Sequence, residues 1–261
     1  MNIKPIIAII FLLLITKIFS QSDQGLKKFL DEYNVKGSFL LYDMNNDNYV
    51  IFDSARCSVR FTPASTFKIA NSIIGLETGV IPDENFVIPW DSVKRNIEAW
   101  NHDLDMKTAI KVSAVPYYQK LAGLVGEKRM QEFITKLGYG NMDISGGIDQ
   151  FWLNGKLRIS QFEQIKFLVK LYNDSLPVSK RTMGIVKSII LLEDTLRYKL
   201  RAKTGWGNQE NVDIGWFVGW IEKNDNVYFF ATNIESENPD DNFAAARIKI
   251  TKNILHKYEI Y

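Results

Sequence analysis

The chain has 261 residues, 46% hydrophobic and 24% charged, with a formal net charge of +2. This fits one large domain, or two small ones sharing a core, with ample apolar material for a sizeable interior. It excludes a disordered, collagen-like or repeat-built chain.

In chain order, residues 1–20 stand apart. A short basic start at Lys4 leads into an almost wholly apolar run over residues 5–15, and the small Ser20 precedes the polar Gln21-Ser22-Asp23-Gln24. That is the pattern of a cleavable export signal, and the run is too short to span a bilayer comfortably. A retained membrane anchor is the alternative. Cleavage would remove Lys4 and Lys17 and no acid, taking the charge from +2 to 0. The expected organisation is therefore a signal at 1–20 and one domain over 21–261. A near-neutral domain has no electrostatic footprint for nucleic acid, and no membrane partner is expected after cleavage.

Residues 24–33 predict a short helix. Residues 37–43 and 48–53 are apolar runs joined by an asparagine-rich link, which reads as a hairpin. Cys57 is the only cysteine, so no intrachain disulfide is possible, and with no histidine beside it the thiol reads as structural and buried. Pro63 marks a helix start, Ile69, Ala70, Ile73, Ile74 and Leu76 supply its apolar face, and Gly79 ends it. Further helices are expected at 107–112, 117–124, 127–137, 160–173 and 179–191. The glycine-dotted segment 139–155 reads as a loop long enough to carry function. Strands return at 197–203, 214–222 and 227–234, with a turn at 223–226. An amphipathic helix at 241–258 closes the chain, its basic residues forming a solvated face. Strands at both ends with helices between them predict an α+β fold: one antiparallel five-stranded sheet flanked by helices, beside an all-helical lobe.

Three short motifs carry the chemistry. Ser65-Thr66-Phe67-Lys68, Ser113-Ala114-Val115 and Lys203-Thr204-Gly205 supply a hydroxyl nucleophile, a lysine one turn away, a second hydroxyl and a second cation. That is the inventory for attack on an activated carbonyl through an acyl-enzyme. Ser65 and Lys68 fall at i and i+3 near a helix start, where free backbone N–H groups and the helix dipole favour developing negative charge. Lys203-Thr204-Gly205 follows an expected strand, where Gly205 lets a substrate approach the backbone. Singly these signals are weak. A chain this long shows about one S-x-x-K by chance. Ser113 alone reads as a helix cap, Tyr139-Gly140-Asn141 as a turn, and Arg247 as a surface cation. Val115, Phe67 and Trp152 alone read equally well as core. Their conjunction and order set these readings aside. The two histidines, His102 and His256, have neither zinc-ligand spacing nor a triad setting, and phosphate-loop and dinucleotide fingerprints are absent.

The constellation resembles the serine β-lactamase and penicillin-binding protein superfamily, and within it the class D, or oxacillinase-type, β-lactamases. Pro63-Ala64-Ser65-Thr66-Phe67-Lys68 is similar to the class D nucleophile segment, and Ser113-Ala114-Val115 to its S-x-V element, where class A enzymes carry S-D-N. Tyr139-Gly140-Asn141, Gln150-Phe151-Trp152-Leu153 and Lys203-Thr204-Gly205-Trp206 resemble further class D elements, and Arg247 sits where the family has its carboxylate-binding arginine. The resemblance implies a periplasmic hydrolase that opens β-lactam antibiotics and confers resistance to them. Ser65 would be acylated, and Lys68 would react with carbon dioxide to give N6-carboxylysine, the general base for acylation and deacylation. No metal and no other cofactor is implied. Val115 and Phe67 would keep the lysine pocket apolar, favouring the neutral amine, and Trp152 would steady the carbamate. Ser113 would relay a proton to the lactam nitrogen. Lys203, Thr204 and Arg247 would hold the substrate carboxylate, with Gly205 beside the substrate and the backbone N–H groups of Ser65 and Trp206 as oxyanion hole. A β-lactam sensor that stays acylated and a penicillin-binding D,D-peptidase are the alternatives.

Overall fold

Strands from both ends of the chain pair into one sheet, and the helices between them cover one of its faces. The computed structural model describes residues 20–22 and 24–261, so the expected export signal lies outside the described residues but for Ser20. The chain runs β1 (Ser20–Ser22), α1 (Lys27–Asp31), β2 (Lys36–Asp43), β3 (Asn48–Phe52) and α2 (Ser54–Ser58), then a 3₁₀ turn (Ala64–Phe67) leading directly into α3 (Lys68–Glu77). A helical stretch follows: β4 (Val87–Ile88), β5 (Leu104–Asp105), α4 (Met106–Lys111), α5 (Val115–Val125), α6 (Glu127–Leu137), α7 (Gln161–Tyr172) and α8 (Lys180–Ile189). The last part is β6 (Leu191–Asp194), β7 (Lys199–Gln209), β8 (Val212–Lys223), β9 (Asn226–Ser236) and α9 (Phe243–Lys257). Among the described residues no helix is long and apolar enough to cross a membrane.

The α+β class holds, and the sheet is larger than its sequence signal. Five long strands are antiparallel, as expected, and two short edge strands extend them to the order β1-β3-β2-β9-β8-β7-β6. One edge strand, β1, pairs parallel with β3. The other, β6, follows α8 with no glycine or proline between them, so the helical pattern at 179–191 runs into it and hides it. Strand β7 is also longer than residues 197–203: it continues to Gln209 and turns through Glu210 and Asn211, both at positive φ. Two such residues make the turn that matches strand twist in tight hairpins.

Alternation along β8 and β9 divides the core. Phe217, Phe230 and Ile234 face α9 and meet Phe243, Ala246, Ile250 and Ile254. Trp216, Val218, Trp220, Phe229 and Ala231 face the helical lobe and its centre, Phe67, Ile73 and Ile74. Helix α3 is not amphipathic: Lys68, Asn71 and Ser72 are as buried as its isoleucines. Helix α5 covers that polar side, Asn71 Nδ2 donating to Tyr118 O (3.2 Å) and Ser72 Oγ sharing a hydrogen bond with Tyr118 Oη (2.8 Å). Each buried polar group is so compensated in part, as burial demands. Cys57 is fully buried, as expected, with Sγ 3.7 Å from Phe39 O and 3.6 Å from Phe52 O. Burial pushes its thiol up to about 12, which leaves it unreactive.

Candidate active site

The 3₁₀ turn at Ala64–Phe67 presents Ser65, and a set of side chains pins it from several directions. Thr66 Oγ1 donates to Pro63 O (2.8 Å) and accepts from Gln164 Nε2 of α7 (2.8 Å). Thr62 N donates to Gln209 Oε1 (2.8 Å), Thr62 Oγ1 lies 3.2 and 3.1 Å from Trp152 O and Leu153 O, and Trp216 Nε1 donates to Thr62 O (2.8 Å). Gly205 and Gly207 of β7 let the turn pack on that strand, since a Cβ at Gly205 would stand 3.0 Å from Pro63 O and one at Gly207 3.1 Å from Ala64 Cβ. The Lys203-Thr204-Gly205 segment therefore lies inside β7, not after it. Ser65 is itself only 8% exposed, a recessed hydroxyl rather than a surface one.

Lys68, the first residue of α3, is fully buried. Its Nζ lies 2.7 Å from Ser65 Oγ, 2.8 Å from Ser113 O and 3.0 Å from Ser113 Oγ. Burial, and then the charge of Lys203, hold this amine well below the usual lysine range. Both causes disfavour the ammonium and so favour the neutral amine. Tyr118, which the sequence motifs did not single out, puts its ring centroid 5.6 Å from Nζ. The signal for it was the three-residue step from Val115 along α5, which brings both onto one helix face.

Ser113 does not cap a helix. The residue preceding α5 is Ala114, which makes no side-chain cap, while Ser113 sits in the turn after α4 at φ 54°. Its hydroxyl instead lies 3.0 Å from Lys68 Nζ and 3.0 Å from Lys203 Nζ. Lys203 Nζ also donates to Thr204 O (3.0 Å) and approaches Thr204 Oγ1 at 3.4 Å. Burial first, and Arg247 second, lower the Lys203 ammonium to about 7. Ser65, Lys68, Ser113, Lys203 and Thr204 thus form one connected chain of hydrogen-bonding groups.

Behind Ser65 the wall is aromatic. Phe67 packs with its ring 5.0 Å from Phe151, 5.5 Å from Trp152 and 5.5 Å from Tyr139. Trp152 is fully buried, and its Nε1 has no acceptor among the described residues. Val115 opens α5 and is half-buried, whereas its neighbour Ala114 is fully enclosed. On the α9 side Arg247 is 9% exposed, with Nε and Nη1 unpartnered and Cζ 5.9 Å from the Trp206 ring. Burial lowers its guanidinium to about 10. An arginine this enclosed with two free donors is built for an anion, because unpaired buried donors are costly.

Tyr139-Gly140-Asn141 braces the wall, the Tyr139 ring packing on Phe67. Gly140 has φ 56°, and a Cβ there would fall 2.1 Å from Arg158 O. Asn141 Nδ2 donates to Lys156 O (2.8 Å) and its Oδ1 accepts from Arg158 N (2.9 Å), tying down the end of the 139–155 loop.

Comparison with known proteins agrees with this geometry. Residues 37–257 match the penicillin binding protein transpeptidase domain. The chain is 42% identical over 240 residues to β-lactamase OXA-48 of Klebsiella pneumoniae, covering 92% of this chain and 90% of that protein. It is 46% identical over 215 residues to β-lactamase OXA-5 of Pseudomonas aeruginosa, covering 81% and 80%. A solved class D β-lactamase from Sebaldella termitidis aligns with a TM-score of 0.89 at 38% identity, covering 93% of this chain and 99% of that one.

Proposed function

The chain belongs to the class D β-lactamases, serine enzymes that hydrolyse β-lactams, and from that premise we propose that Ser65 is the acylated nucleophile and Lys68, as its carbamate, the base of both half-reactions. The observation that carries this reading is the fully buried Lys68 amine 2.7 Å from Ser65 Oγ, where burial holds it well below the usual lysine range. Only a neutral amine adds carbon dioxide, releasing one proton as the carbamate forms. Trp152 Nε1, a buried donor lacking an acceptor, is assigned to a carbamate oxygen. Bound at Lys68, the carboxylate would supply a proton acceptor beside Ser65 Oγ.

Ser65 Oγ gives up its proton as it bonds to the lactam carbonyl carbon. The electron pair moves to the carbonyl oxygen, received by the backbone N–H groups of Ser65 and Trp206, where a single donor is typically worth about 3 kcal/mol. Collapse breaks the C–N bond, and Ser113, between two lysines, passes a proton to the leaving nitrogen. Water then attacks the ester carbon, its proton leaves toward Lys68, the C–Oγ bond breaks, and that proton returns to Ser65 Oγ as the opened acid departs. Lys203, Thr204 and Arg247 hold the substrate carboxylate through charge-assisted contacts. Val115 and Phe67 keep the lysine pocket dry. Export through residues 1–20 into the periplasm, and resistance as its consequence, complete the reading; the apolar run at 5–15 supports the first.

The test is penicillin hydrolysis by purified enzyme in degassed buffer and with added bicarbonate, alongside ¹³C NMR with labelled bicarbonate. Turnover should fall on degassing and recover with bicarbonate, with a carbamate resonance present. Turnover indifferent to bicarbonate and no resonance would remove the carbamate. An acyl adduct persisting for many minutes would indicate a sensor instead.

A further inference from the structure

The rim of the site on the α9 side rests on a contact outside the catalytic motifs. Across the β7–β8 hairpin Trp206 stands opposite Gly215. Asp213, two residues before Gly215, projects from the same face and is the diagonal neighbour a large aromatic can reach. Trp206 Nε1 donates to Asp213 Oδ1 at 2.6 Å. The missing side chain at Gly215 makes room for Phe243, since a Cβ there would lie 3.3 Å from Phe243 Cε1 and 2.8 Å from Ile234 Cγ1. Phe243 and Arg247 are one turn apart on α9, and the indole lies on both, 5.4 Å from the Phe243 ring and 5.9 Å from Arg247 Cζ. Yet Trp206 is 42% exposed. An indole so open to water is held by no core; its place depends on Phe243 beneath and on one hydrogen bond at its edge.

We infer that Asp213 is a positioning residue for substrate recognition: it latches Trp206 over Arg247 and so sets the affinity of the site for the carboxylate of the β-lactam. The inference rests on Arg247 being the cation that binds this carboxylate. With the indole latched, one face of the guanidinium is shielded from water and its two unpartnered donors stay desolvated, where they attract an anion more strongly. Charge alone argues the opposite sign. A carboxylate at the rim repels an anionic substrate, so its simple removal should tighten binding. The latch predicts weaker binding, and the two effects are separable because an amide oxygen can still accept from Nε1 without carrying charge.

The experiment measures kcat and KM for wild type, D213A, D213N, W206F and R247A with a penicillin and with its methyl ester. D213A should raise KM for the free acid about fivefold, the scale of one net hydrogen bond, with kcat little changed, and W206F should raise that KM at least as far. The ester KM should not respond to D213A. D213N should restore a KM at or below the wild-type value, and R247A should abolish the preference for acid over ester. D213A leaving the acid KM unchanged or lowered, or raising the acid and ester KM alike, overturns the latch. If R247A keeps the acid preference, the carboxylate assignment itself falls and the latch with it; if R247A loses it while D213A does not shift KM, only the latch falls.

Discussion

Replacing Trp152 by Phe isolates the proposed carbamate contact. In the folded protein the indole is fully buried among Phe67 and Phe151, with Nε1 lacking an acceptor. Trimming the ring costs about 1–3 kcal/mol in lost packing. Removing an unsatisfied buried N–H returns about 1–3 kcal/mol. In carbon-dioxide-free buffer the two nearly cancel, and the variant should melt close to wild type. The functional loss is different. A hydrogen bond to a carbamate is charge-assisted and worth about 1.5–3 kcal/mol, so the bicarbonate concentration for half-maximal activity should rise roughly 10- to 100-fold. Bicarbonate should also raise the melting temperature of wild type more than that of the variant, because a group bound only to the folded state stabilises it by mass action. The assay is steady-state penicillin hydrolysis and thermal melting over a bicarbonate series. Superimposable activation curves and equal melting shifts would refute the contact.

Ser65→Ala should reduce turnover on the order of 10⁴-fold or more, as loss of a covalent nucleophile does. Its circular dichroism should match wild type, because Lys68 Nζ keeps both Ser113 O and Ser113 Oγ as partners; retained activity would mean another nucleophile. Lys203→Met should flatten the pH dependence of stability. The folded protein holds this ammonium at about 7 against an ordinary 10.5, so between these values the unfolded chain binds more protons and stability rises with pH. The buried Cys57 thiol, pushed up from 9.0 to about 12, opposes this above pH 9, which makes pH 7–9 the window. Denaturant titrations should give a smaller rise across it for the variant than for wild type, and an equal rise would contradict the assignment. Gly140→Ala should cost about 3 kcal/mol or prevent folding, since it combines a left-handed backbone at φ 56° with a Cβ 2.1 Å from Arg158 O. A loss below about 1 kcal/mol would show that the loop relaxes instead.

The proposed catalytic inventory was legible because each member carries unusual chemistry at a short, ordered spacing. Ser65 and Lys68 needed only a helical turn to meet, and the local pattern already contained it. Position and order likewise marked the five long strands, whose apolar runs are dictated by a sheet covered on both faces. Other features left no local mark. Strand β6 merged with the helical pattern before it, and β7 looked shorter because Gly205, Gly207 and Asn208 have little strand propensity; its length comes from pairing with β8.

From the order of its residues alone the protein is an α+β serine hydrolase of one recognisable chemistry, because nucleophile, amine and aromatic wall are written as contiguous motifs. Tertiary structure alone decided which of these groups touch. Ser113 lies 45 residues from Lys68 and 90 from Lys203, yet its hydroxyl stands 3.0 Å from each amine. The low affinity of those amines for protons, the orphaned donors of Trp152 and Arg247, and the Asp213–Trp206 contact also arise only on folding. Burial and through-space distance set them, and neither quantity exists in a linear chain.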